Sequence, residues 1–445
     1  MYSLNDNIVS LATIPGKAAL NVVRLSGNDD LFFLYKKLTH KKKKPRPNFN
    51  HLCNIYNQTK VLDQAMCVFY KSPKSFTSEN MLEISTHGGK IIVNQIIGLI
   101  LDLGARQASP GEFTYRAFIN KKVDLVQAEA INNAVLATNQ INSFYHIGAI
   151  KGGLSKELKK TQTIIKNTLT TIEHELDFNE DEIDFIKKET IEKKLIQIYK
   201  NICSVLNSSF FEETSSHIRV AIVGVPNSGK SSLFNLIIGD DRAIVSKIKG
   251  TTRDTIEGHI IYKNTDFTLV DTAGIRKTKN KIELLGINKT IQEIQKASIV
   301  VCIDEKDPLK IKKRMQTHIK DRPCLLVLNK IDLNPPHSSS KNIKVSCKTK
   351  EGIKGLLTQL STAIEKNINE YFQKYSLFIN KRQHSLLLSL KQQTKLTQKN
   401  YGEEGDAAIL ASDLRGLLDL FNGLFKPTNN EEIINTIFKD FCVGK

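Results

Sequence analysis

Hydrophobic and polar positions along the chain divide it into stretches with different periods. Residues 1–119 contain short runs with the composition of strands, such as Asn21–Leu25 and Ala65–Phe69, with Pro-Gly and Gly-Gly pairs between them. Runs of this length that are bounded by turn residues predict strands. The first stretch is therefore predicted to be a compact α+β domain.

Two other stretches, 120–215 and 371–445, repeat their apolar residues at helical spacing. Proline is absent from the first of them. The apolar positions at this spacing include Ile164, Leu169, Ile172, Leu195, Ile198, Ile202 and Leu206, and then Leu386, Leu387, Leu390, Ile409, Leu410, Leu414, Leu417 and Leu418. Each half alone would expose an apolar face. We therefore expect one helical domain, divided in the sequence by the intervening residues 216–370.

Residues 216–370 alternate apolar strand-like runs with helical stretches, as an α/β domain does. The segment Gly224–Ser231 fits the pattern GxxxxGK[ST], follows the apolar run Ile218–Val223 and precedes a predicted helix. Backbone N–H groups of such a loop can surround phosphate oxygens at a helix N-terminus. Lys230 would reach the outer phosphates, and the Ser231 hydroxyl can ligate Mg²⁺. The pattern predicts an inserted, Ras-like P-loop domain.

Two further segments suit the metal and the γ-phosphate. The segment Asp271-Thr272-Ala273-Gly274 follows a predicted strand, where the carboxylate can hold a Mg²⁺-bound water and the Gly274 N–H can meet the γ-phosphate. Before it lies the polar loop Gly250–Asp254, whose Thr252 hydroxyl can close on the metal. Loops of this kind become ordered when the γ-phosphate is present. These features predict a nucleotide switch.

The last two segments select the base. Asn329–Asp332 ends a predicted buried strand, and Ser346-Cys347-Lys348 would pack against the base from a later loop. The Asp332 carboxylate can accept both N–H groups on the Watson–Crick edge of guanine, whereas adenine presents an acceptor there. The sequence thus predicts GTP rather than ATP. The predicted GTP site comprises Asn227, Ser228, Gly229, Lys230, Ser231, Ser232, Ser246, Lys247, Ile248, Lys249, Gly250, Thr251, Thr252, Asp271, Thr272, Ala273, Gly274, Asn329, Lys330, Asp332, Ser346, Cys347 and Lys348.

The position after Gly274 is Ile275, where a Ras-like enzyme carries the glutamine that orients the attacking water. No arginine finger can be assigned from the sequence. Another positive charge must therefore offset the charge that develops during phosphoryl transfer. Oxygen atoms of Asn227 and of the loop Ser246–Thr251 could hold a monovalent cation for this purpose, which is our hypothesis.

Composition narrows the functional class further. The chain has 445 residues, seven cysteines without a CxxC pair, and a net charge of +18. The cysteines argue against a disulfide framework and a zinc ribbon. The charge indicates either a polyanionic partner such as RNA or a lysine-rich compositional bias, and the sequence leaves both open. The run Lys41–Lys44 before Pro45 is predicted to be a solvated loop.

We expect a cytoplasmic protein without membrane insertion, because no apolar run approaches 18 residues and no targeting pattern is present.

Motifs along the whole chain carry a family resemblance. They are Thr13–Gly16, Arg24–Gly27, Ser75–Thr77, Leu82–Ile84, His87–Gly89, Pro110–Phe113, Arg116–Phe118, Lys122–Leu125, Gln127–Ala130, Gly224–Ser232, Gly250–Asp254 and the terminal Phe441–Lys445. On these motifs the chain resembles the bacterial and mitochondrial GTPase family called MnmE or TrmE, which modifies the wobble uridine of certain tRNAs.

The resemblance implies a one-carbon site in the N-terminal domain. Family members dimerise through this domain, which is similar to a tetrahydrofolate-binding fold, and bind 5-formyl- or methylene-tetrahydrofolate there. By position, the folate contacts would be Arg24, Glu83, Lys122 and Lys445. Positive charges suit a ligand with a glutamate tail, and a carboxylate can accept N–H groups of a pterin. Cys442 lies where the family has a cysteine near that site, and a role in the modification chemistry is open.

The resemblance also assigns roles in the nucleotide domain. Mg²⁺ would be held by Ser231 and Thr252, and the acid that positions the catalytic water would be Glu283; the predicted catalytic set is Glu283, Lys230 and Thr252. K⁺ would take the place of the arginine finger, with a site composed of Asn227, Ser246, Ile248 and Thr251. GTP binding would bring together two copies of this domain in a homodimer.

Family proteins act with MnmG, an FAD protein, in a heterotetramer that installs a C5 aminomethyl-type (carboxymethylaminomethyl) group on the tRNA. Two alternatives stay open. A GTP-driven ribosome-assembly factor would explain the basic charge and the nucleotide motifs, although it would not explain the N-terminal and C-terminal motifs. A non-catalytic nucleotide-gated scaffold is disfavoured by the retained Lys230, Ser231, Thr252 and Asp271.

Overall fold

The computed structural model describes residues 4–27, 31–137, 140–177, 187–211, 218–239, 256–263, 265–272, 290–333, 342–426, 438–439, 441 and 444. Its backbone forms two compact units. The first comprises Met1–Leu136, His146–Phe211 and Leu377–Lys445, and the second comprises Ala137–Tyr145 and Glu212–Ser376. None of the described helices is both long and apolar enough to cross a membrane.

The N-terminal part of the first unit is a six-stranded sheet with strand order β3-β4-β5-β2-β1-β6. Its strands are β1 (Ile8–Leu11), β2 (Leu20–Gly27), β3 (Asn50–Asn57), β4 (Lys60–Tyr70), β5 (Asn80–His87) and β6 (Arg106–Gln107), and its helices are α1 (Leu31–Thr39), α2 (Lys90–Asp102) and α3 (Glu112–Ile119). Side chains alternate along each strand, so Ala65, Cys67 and Phe69 of β4 all point into the core. The α+β prediction for this region is confirmed.

Among the described residues, five helices complete the first unit, and a sixth, α5, is divided between the two units. They are α4 (Leu125–Leu136), α5 (Gln140–Ile150), α6 (Gly153–Asp177), α7 (Lys188–Ser208), α12 (Lys381–Glu404) and α13 (Ala407–Phe425). Apolar residues of α6, α7, α12 and α13 share one buried core. Two short parallel strands, β7 (Ser209–Phe211) and β14 (Leu377–Ile379), pair beside that core. The predicted helical domain, divided in the sequence by a second domain, is therefore confirmed.

The second unit contains a six-stranded sheet with strand order β13-β12-β11-β8-β10-β9. Its strands are β8 (Arg219–Val223), β9 (Ile256–Tyr262), β10 (Thr265–Asp271), β11 (Ile299–Asp304), β12 (Cys324–Leu328) and β13 (Ile343–Lys344), and its helices are α8 (Lys230–Ile238), α9 (Pro308–Arg314), α10 (Gln316–Ile319) and α11 (Ile353–Lys374). Strand β9 is antiparallel to β10, and the other pairs are parallel. The predicted Ras-like α/β class is confirmed.

The strand order places a topological switch point beside β8. The chain leaves β8 for β9 and β10 on one side, and later returns to β11 on the other side. Parallel sheets bind ligands outside the carboxyl ends of their strands at such a point. The phosphate loop follows the carboxyl end of β8, Asp271 ends β10, and Asn329 follows β12. The fold thus collects the sequence motifs at one edge of the sheet.

The described residues of the C-terminal tail pack on the N-terminal part of the first unit. Phe438 and Phe441 are buried with Tyr115 and Phe118 of α3. Gly444 has φ +93°, and a Cβ there would crowd the backbone of Leu11. Because only glycine tolerates both the positive φ and this close approach, the tail requires glycine at this position.

Candidate functional site

The phosphate loop connects β8 to α8 and adopts a backbone that favours glycine. Gly229 has φ +97° and Asn227 has φ +64°. A Cβ on Gly229 would collide with the side-chain amide of Asn329, and a Cβ on Gly224 would collide with the carbonyl of Ile303. The loop can therefore lie against both neighbouring segments only because these two residues lack side chains.

Lys230 is held inside this loop by the loop's own carbonyl groups. Its Nζ donates to the carbonyl oxygens of Gly224 at 2.9 Å and Val225 at 2.8 Å. Burial lowers the pKa of the Lys230 ammonium, and the nearby Asp271 carboxylate opposes that shift. The side chain thus places a largely buried cation at the N-terminus of α8, where anions bind favourably.

A hydroxyl and a carboxylate meet at the adjacent strand end. Ser231 Oγ donates to Asp271 Oδ2 at 2.7 Å. The Thr272 hydroxyl donates to the carbonyl of Ile222 at 2.7 Å, which fixes the chain directly after Asp271. Oxygen ligands of these types are the ones that Mg²⁺ prefers. The donor set therefore fits this ion, which would neutralise charge on the phosphates when bound.

Asn329 joins the phosphate loop to the base-reading segments. Its Nδ2 donates to the carbonyl of Ser228 at 2.9 Å, and its Oδ1 accepts the backbone N–H of Cys347 at 3.2 Å. The backbone N–H of Asn329 donates to Asp304 at 2.8 Å. The residue is 2% exposed. One buried amide thus connects three loops at the edge of the sheet.

Asp332 is oriented from the neighbouring loop. Ser346 Oγ, which is fully buried, donates to Asp332 Oδ1 at 2.7 Å and accepts the backbone N–H of Thr349 at 3.1 Å. Lys330 has φ +61° and forms an ion pair with Glu305 at 2.8 Å. This arrangement holds the carboxylate in one orientation, as recognition of two N–H groups on a base requires.

Cys347 and Lys348 complete this loop. Burial raises the pKa of the Cys347 thiol, which therefore stays neutral beside Asp332. Lys348 is exposed. The structure accordingly brings the described members of the predicted GTP site to one edge of the sheet. Other predicted residues lie outside the described part of the chain, namely Ser246, Lys247, Ile248, Lys249, Gly250, Thr251, Thr252, Ala273, Gly274 and Glu283.

A second group of predicted residues lies in the N-terminal sheet of the first unit. Arg24 and Glu83 are directly opposite each other on β2 and β5, and Arg24 Nε donates to Glu83 Oε1 at 2.8 Å. Arg24 Nη1 also donates to the carbonyl of Gly444 at 3.1 Å. The two side chains are 21% and 22% exposed, so a ligand can reach them. The structure therefore brings the C-terminal tail to the predicted folate residues.

Lys122 does not join this pair within the described part of the chain. It is exposed after α3, and its backbone N–H donates to Ala117 at 2.8 Å. Lys445 and Cys442 lie outside the described residues. The sequence reasoning missed Tyr70, whose hydroxyl donates to Glu83 at 3.2 Å and whose pKa is raised by burial and by that carboxylate. The sequence offers one signal for it, its place directly after the strand-like run Ala65–Phe69.

Buried charges beneath Arg24 were also missed. Arg116 is fully buried, and it donates to Glu79 at 3.2 Å, Asp6 at 2.7 Å and Glu112 at 3.2 Å. Buried charges in proteins are paired in this way because an unpaired charge is very costly. The network holds α3 against the sheet, and thereby places the Phe113 ring 5.8 Å from the Arg24 guanidinium. It supports the candidate site without lining it.

Comparison with known proteins gives consistent matches to both units. A family model described as "GTP-binding protein TrmE N-terminus" matches residues 7–122, and one described as "50S ribosome-binding GTPase" matches residues 219–330. The tRNA modification GTPase MnmE of Thermotoga petrophila is 36% identical over 463 residues, which cover 99% of this chain and 100% of the relative.

The protein of the same name from Francisella tularensis subsp. novicida is 33% identical over 458 residues, which cover 100% of both chains. Among solved structures, an Era variant from Aquifex aeolicus matches 41% of this chain and 66% of its own, with 24% identity and a TM-score of 0.25. The family assignment rests on the full-length sequence matches.

Proposed function

Because the chain belongs to the MnmE family of tRNA modification GTPases, we propose that it forms the C5 carboxymethylaminomethyl group of wobble uridine together with an MnmG-like FAD protein. It would act as a cytoplasmic homodimer within a heterotetramer. The observation that carries the proposal is the junction at Asn329, where one buried amide connects the phosphate loop to both base-reading segments. A movement of the phosphate loop on GTP binding or hydrolysis can therefore shift the base-reading segments through this amide.

The proposed nucleotide chemistry uses the residues already placed. Lys230 would exchange its contacts with the loop carbonyls for contacts with phosphate oxygens, and Asp332 would accept the N–H groups of guanine. Ser231, together with Thr252, would hold Mg²⁺, and Glu283 would position the attacking water. The short Ser231–Asp271 hydrogen bond supports the metal assignment, since it already brings two suitable oxygen atoms together.

Potassium activation is the second part of the proposal. Asn227 lies in the phosphate loop with its side chain exposed, and Ser246, Ile248 and Thr251 would complete the K⁺ site. The cation would supply the positive charge that an arginine finger supplies elsewhere. Replacing K⁺ by Na⁺ at constant ionic strength should lower GTP turnover sharply while GTP binding persists. Equal turnover in both salts would refute potassium activation.

Folate binding near Arg24 is the third part. Arg24 and Lys122 would attract the glutamate tail of 5-formyl- or methylene-tetrahydrofolate, Glu83 would accept N–H groups of the pterin, and Lys445 would join them from the tail. The contact of Arg24 with the Gly444 carbonyl supports this arrangement, because it leaves Lys445 one residue away. Cys442 would lie close to the same site.

Calorimetry with 5-formyl-tetrahydrofolate tests this assignment. Arg24→Gln should weaken binding at least tenfold, since a charge-assisted hydrogen bond contributes about 1.5–3 kcal/mol. Arg415→Gln is the matched control, because Arg415 forms an exposed ion pair with Glu173 in the helical part. GTP hydrolysis should be unchanged in both variants. Equal folate affinity in all three proteins would contradict the assignment.

Mass analysis of wobble uridine tests the complete reaction. The purified chain, its flavoprotein partner, GTP, tRNA and glycine, which supplies the carboxymethylamino part of the group, should yield the modified uridine only when a folate donor is present. The same analysis addresses the ribosome-assembly alternative, which the description of the matching nucleotide-domain model favours. Unmodified wobble uridine in a deletion strain supports the present proposal, whereas normal uridine with defective ribosomal subunits would favour the alternative.

A further inference from the structure

Basic side chains cluster between α1 and β3, at the outer edge of the N-terminal sheet. All are exposed, and with three exposed apolar residues they form a surface that we call the basic edge: Lys36, Lys37, Lys41, Lys42, Lys43, Lys44 and Arg46, with Phe33, Phe49 and Leu52. Residues 31–62 contain no Asp or Glu, although the chain has 46 acidic residues. Within the described part of the chain, none of the seven basic side chains forms an ion pair.

Local contacts hold this surface in place. Lys41 Nζ donates to the carbonyl of Leu52 on β3 at 2.8 Å, and a His51 ring nitrogen lies 3.2 Å from the carbonyl oxygen of Arg46. Pro45, which precedes Arg46 in the sequence, is buried. Strand β3 is the outermost strand of its sheet, so the cluster follows a sheet edge that no other described strand covers. The charges are thus presented on an ordered support.

Aromatic rings are interleaved with the charges. Phe33 is 48% exposed and Phe49 is 46% exposed, although both are large apolar residues. The Arg46 guanidinium lies 3.8 Å from the Phe49 ring centroid, and Lys37 Nζ lies 5.5 Å from that of Phe33. Proteins bind single-stranded nucleic acids with this combination, in which cations contact phosphates and exposed rings stack on bases.

We propose that the basic edge binds tRNA, with its lysines on the phosphate backbone and Phe49 stacked on an unpaired base. The inference rests on the proposed function in so far as it takes tRNA as the substrate. A polyanion is the partner that uncompensated positive charge selects. A second copy would oppose like charges, and a lipid surface would favour a continuous apolar face. Here the apolar side chains stand singly among lysines.

Charge removal at side chains without internal contacts tests the electrostatic part. The triple variant Lys36→Gln, Lys42→Gln, Lys43→Gln removes charges that make no side-chain contact among the described residues. The control Lys151→Gln, Lys156→Gln, Lys166→Gln removes the same charge from exposed positions in and beside α6. Affinity of the full-length protein for tRNA is measured by fluorescence anisotropy between 50 and 200 mM salt, a range chosen because counterion release acts strongly there.

Counterion release sets the expected size of the effect. Log affinity falls by about 0.9 per phosphate contact for each tenfold rise in salt. One contact is therefore worth roughly eightfold in affinity at 0.1 M salt relative to 1 M. The triple variant should therefore lose at least about eightfold in affinity, and its salt slope should fall by about one to three. The control should stay within about twofold, a margin we take as the resolution of the salt titration.

Stacking is tested separately by Phe49→Ala. This variant should lose roughly tenfold in tRNA affinity with an unchanged salt slope, because stacking releases no counterions. In all variants GTP hydrolysis should equal that of the wild-type protein, since the changes lie outside the nucleotide domain. A far-UV circular dichroism spectrum and an unfolding midpoint equal to those of the wild-type protein would show that each variant is folded.

Several results would overturn the inference. Equal losses in the triple variant and the control would mean that net charge alone drives binding. If the wild-type protein hydrolysed GTP without binding tRNA, tRNA binding by the basic edge would be refuted and the nucleotide assignment would stay intact. If the wild-type protein did not hydrolyse GTP, the proposed function itself would be refuted. If the triple variant lost binding to phosphatidylserine vesicles but kept the tRNA affinity of wild type, the basic edge would be a membrane-binding surface instead.

Discussion

The most informative single perturbation is Asn329→Ala. The side chain is 2% exposed and makes two hydrogen bonds, one to the Ser228 carbonyl and one from the Cys347 N–H. Truncation would leave both backbone groups without this partner. A buried polar group that loses its partner costs about 1–3 kcal/mol. Because the Cys347 backbone is less deeply enclosed than Ser228, we expect about 2–4 kcal/mol in total.

This free energy should appear as a loss of nucleotide affinity. The two hydrogen bonds set the relative positions of the phosphate loop and the base-reading segments, so GTP would have to restore that arrangement on binding. A penalty of 2–4 kcal/mol corresponds to an affinity loss of about 30- to 700-fold. Stopped-flow fluorescence with a labelled guanine nucleotide measures the dissociation constant.

Asn235→Ala provides the matched control for this experiment. Asn235 lies in the same domain, is exposed on α8, and undergoes the same chemical change. Its affinity for GTP should stay within about twofold of wild type, because exposed substitutions cost little. If Asn329→Ala also bound GTP within threefold of wild type, the coupling of the loops through this amide would be refuted.

Three further predictions follow from local geometry. Gly229→Ala should abolish GTP binding in the same assay, because φ +97° and contact with Asn329 exclude a Cβ. Arg382→Ala should destabilise the helical core by about 3–5 kcal/mol in urea unfolding, because the 2.7 Å ion pair with buried Glu129 is lost; a midpoint equal to that of wild type would contradict this. Burial lowers the pKa of His146 to about 4 from 6.5. The unfolded chain then binds the proton first, so stability should fall by up to about 3 kcal/mol between pH 6.5 and 4. His146→Gln should remove that slope.

The basic edge shows why composition alone could not decide the meaning of the charge. The sequence shows a net charge of +18, which fits both RNA binding and a lysine-rich composition. The structure adds which lysines face solvent together and which lie beside carboxylates, and the proposed tRNA surface rests on that difference. Lys159, for example, forms an ion pair with Asp124 at 2.9 Å, whereas Lys42 and Lys43 lie exposed without one in the described part of the chain.

Helical spacing predicted the elements better than it predicted burial. Leu410, Leu414 and Leu417 are buried in the shared helical core, as the spacing indicated. Ile409 belongs to the same pattern, yet it is 41% exposed in the first turn of α13. Period predicts which residues share a face of a helix, but the packing partner determines how much of that face is covered.

The sequence by itself determined the family and the GTPase class, because each motif is a short contiguous segment that can be recognised without the fold. Only the tertiary structure decided which distant segments meet. Arg24 and Glu83 meet through the strand register, the tail reaches Arg24 from Gly444, and Asn329 contacts Ser228 across neighbouring loops. Such contacts depend on strand order and long-range packing, which no local pattern of residues encodes.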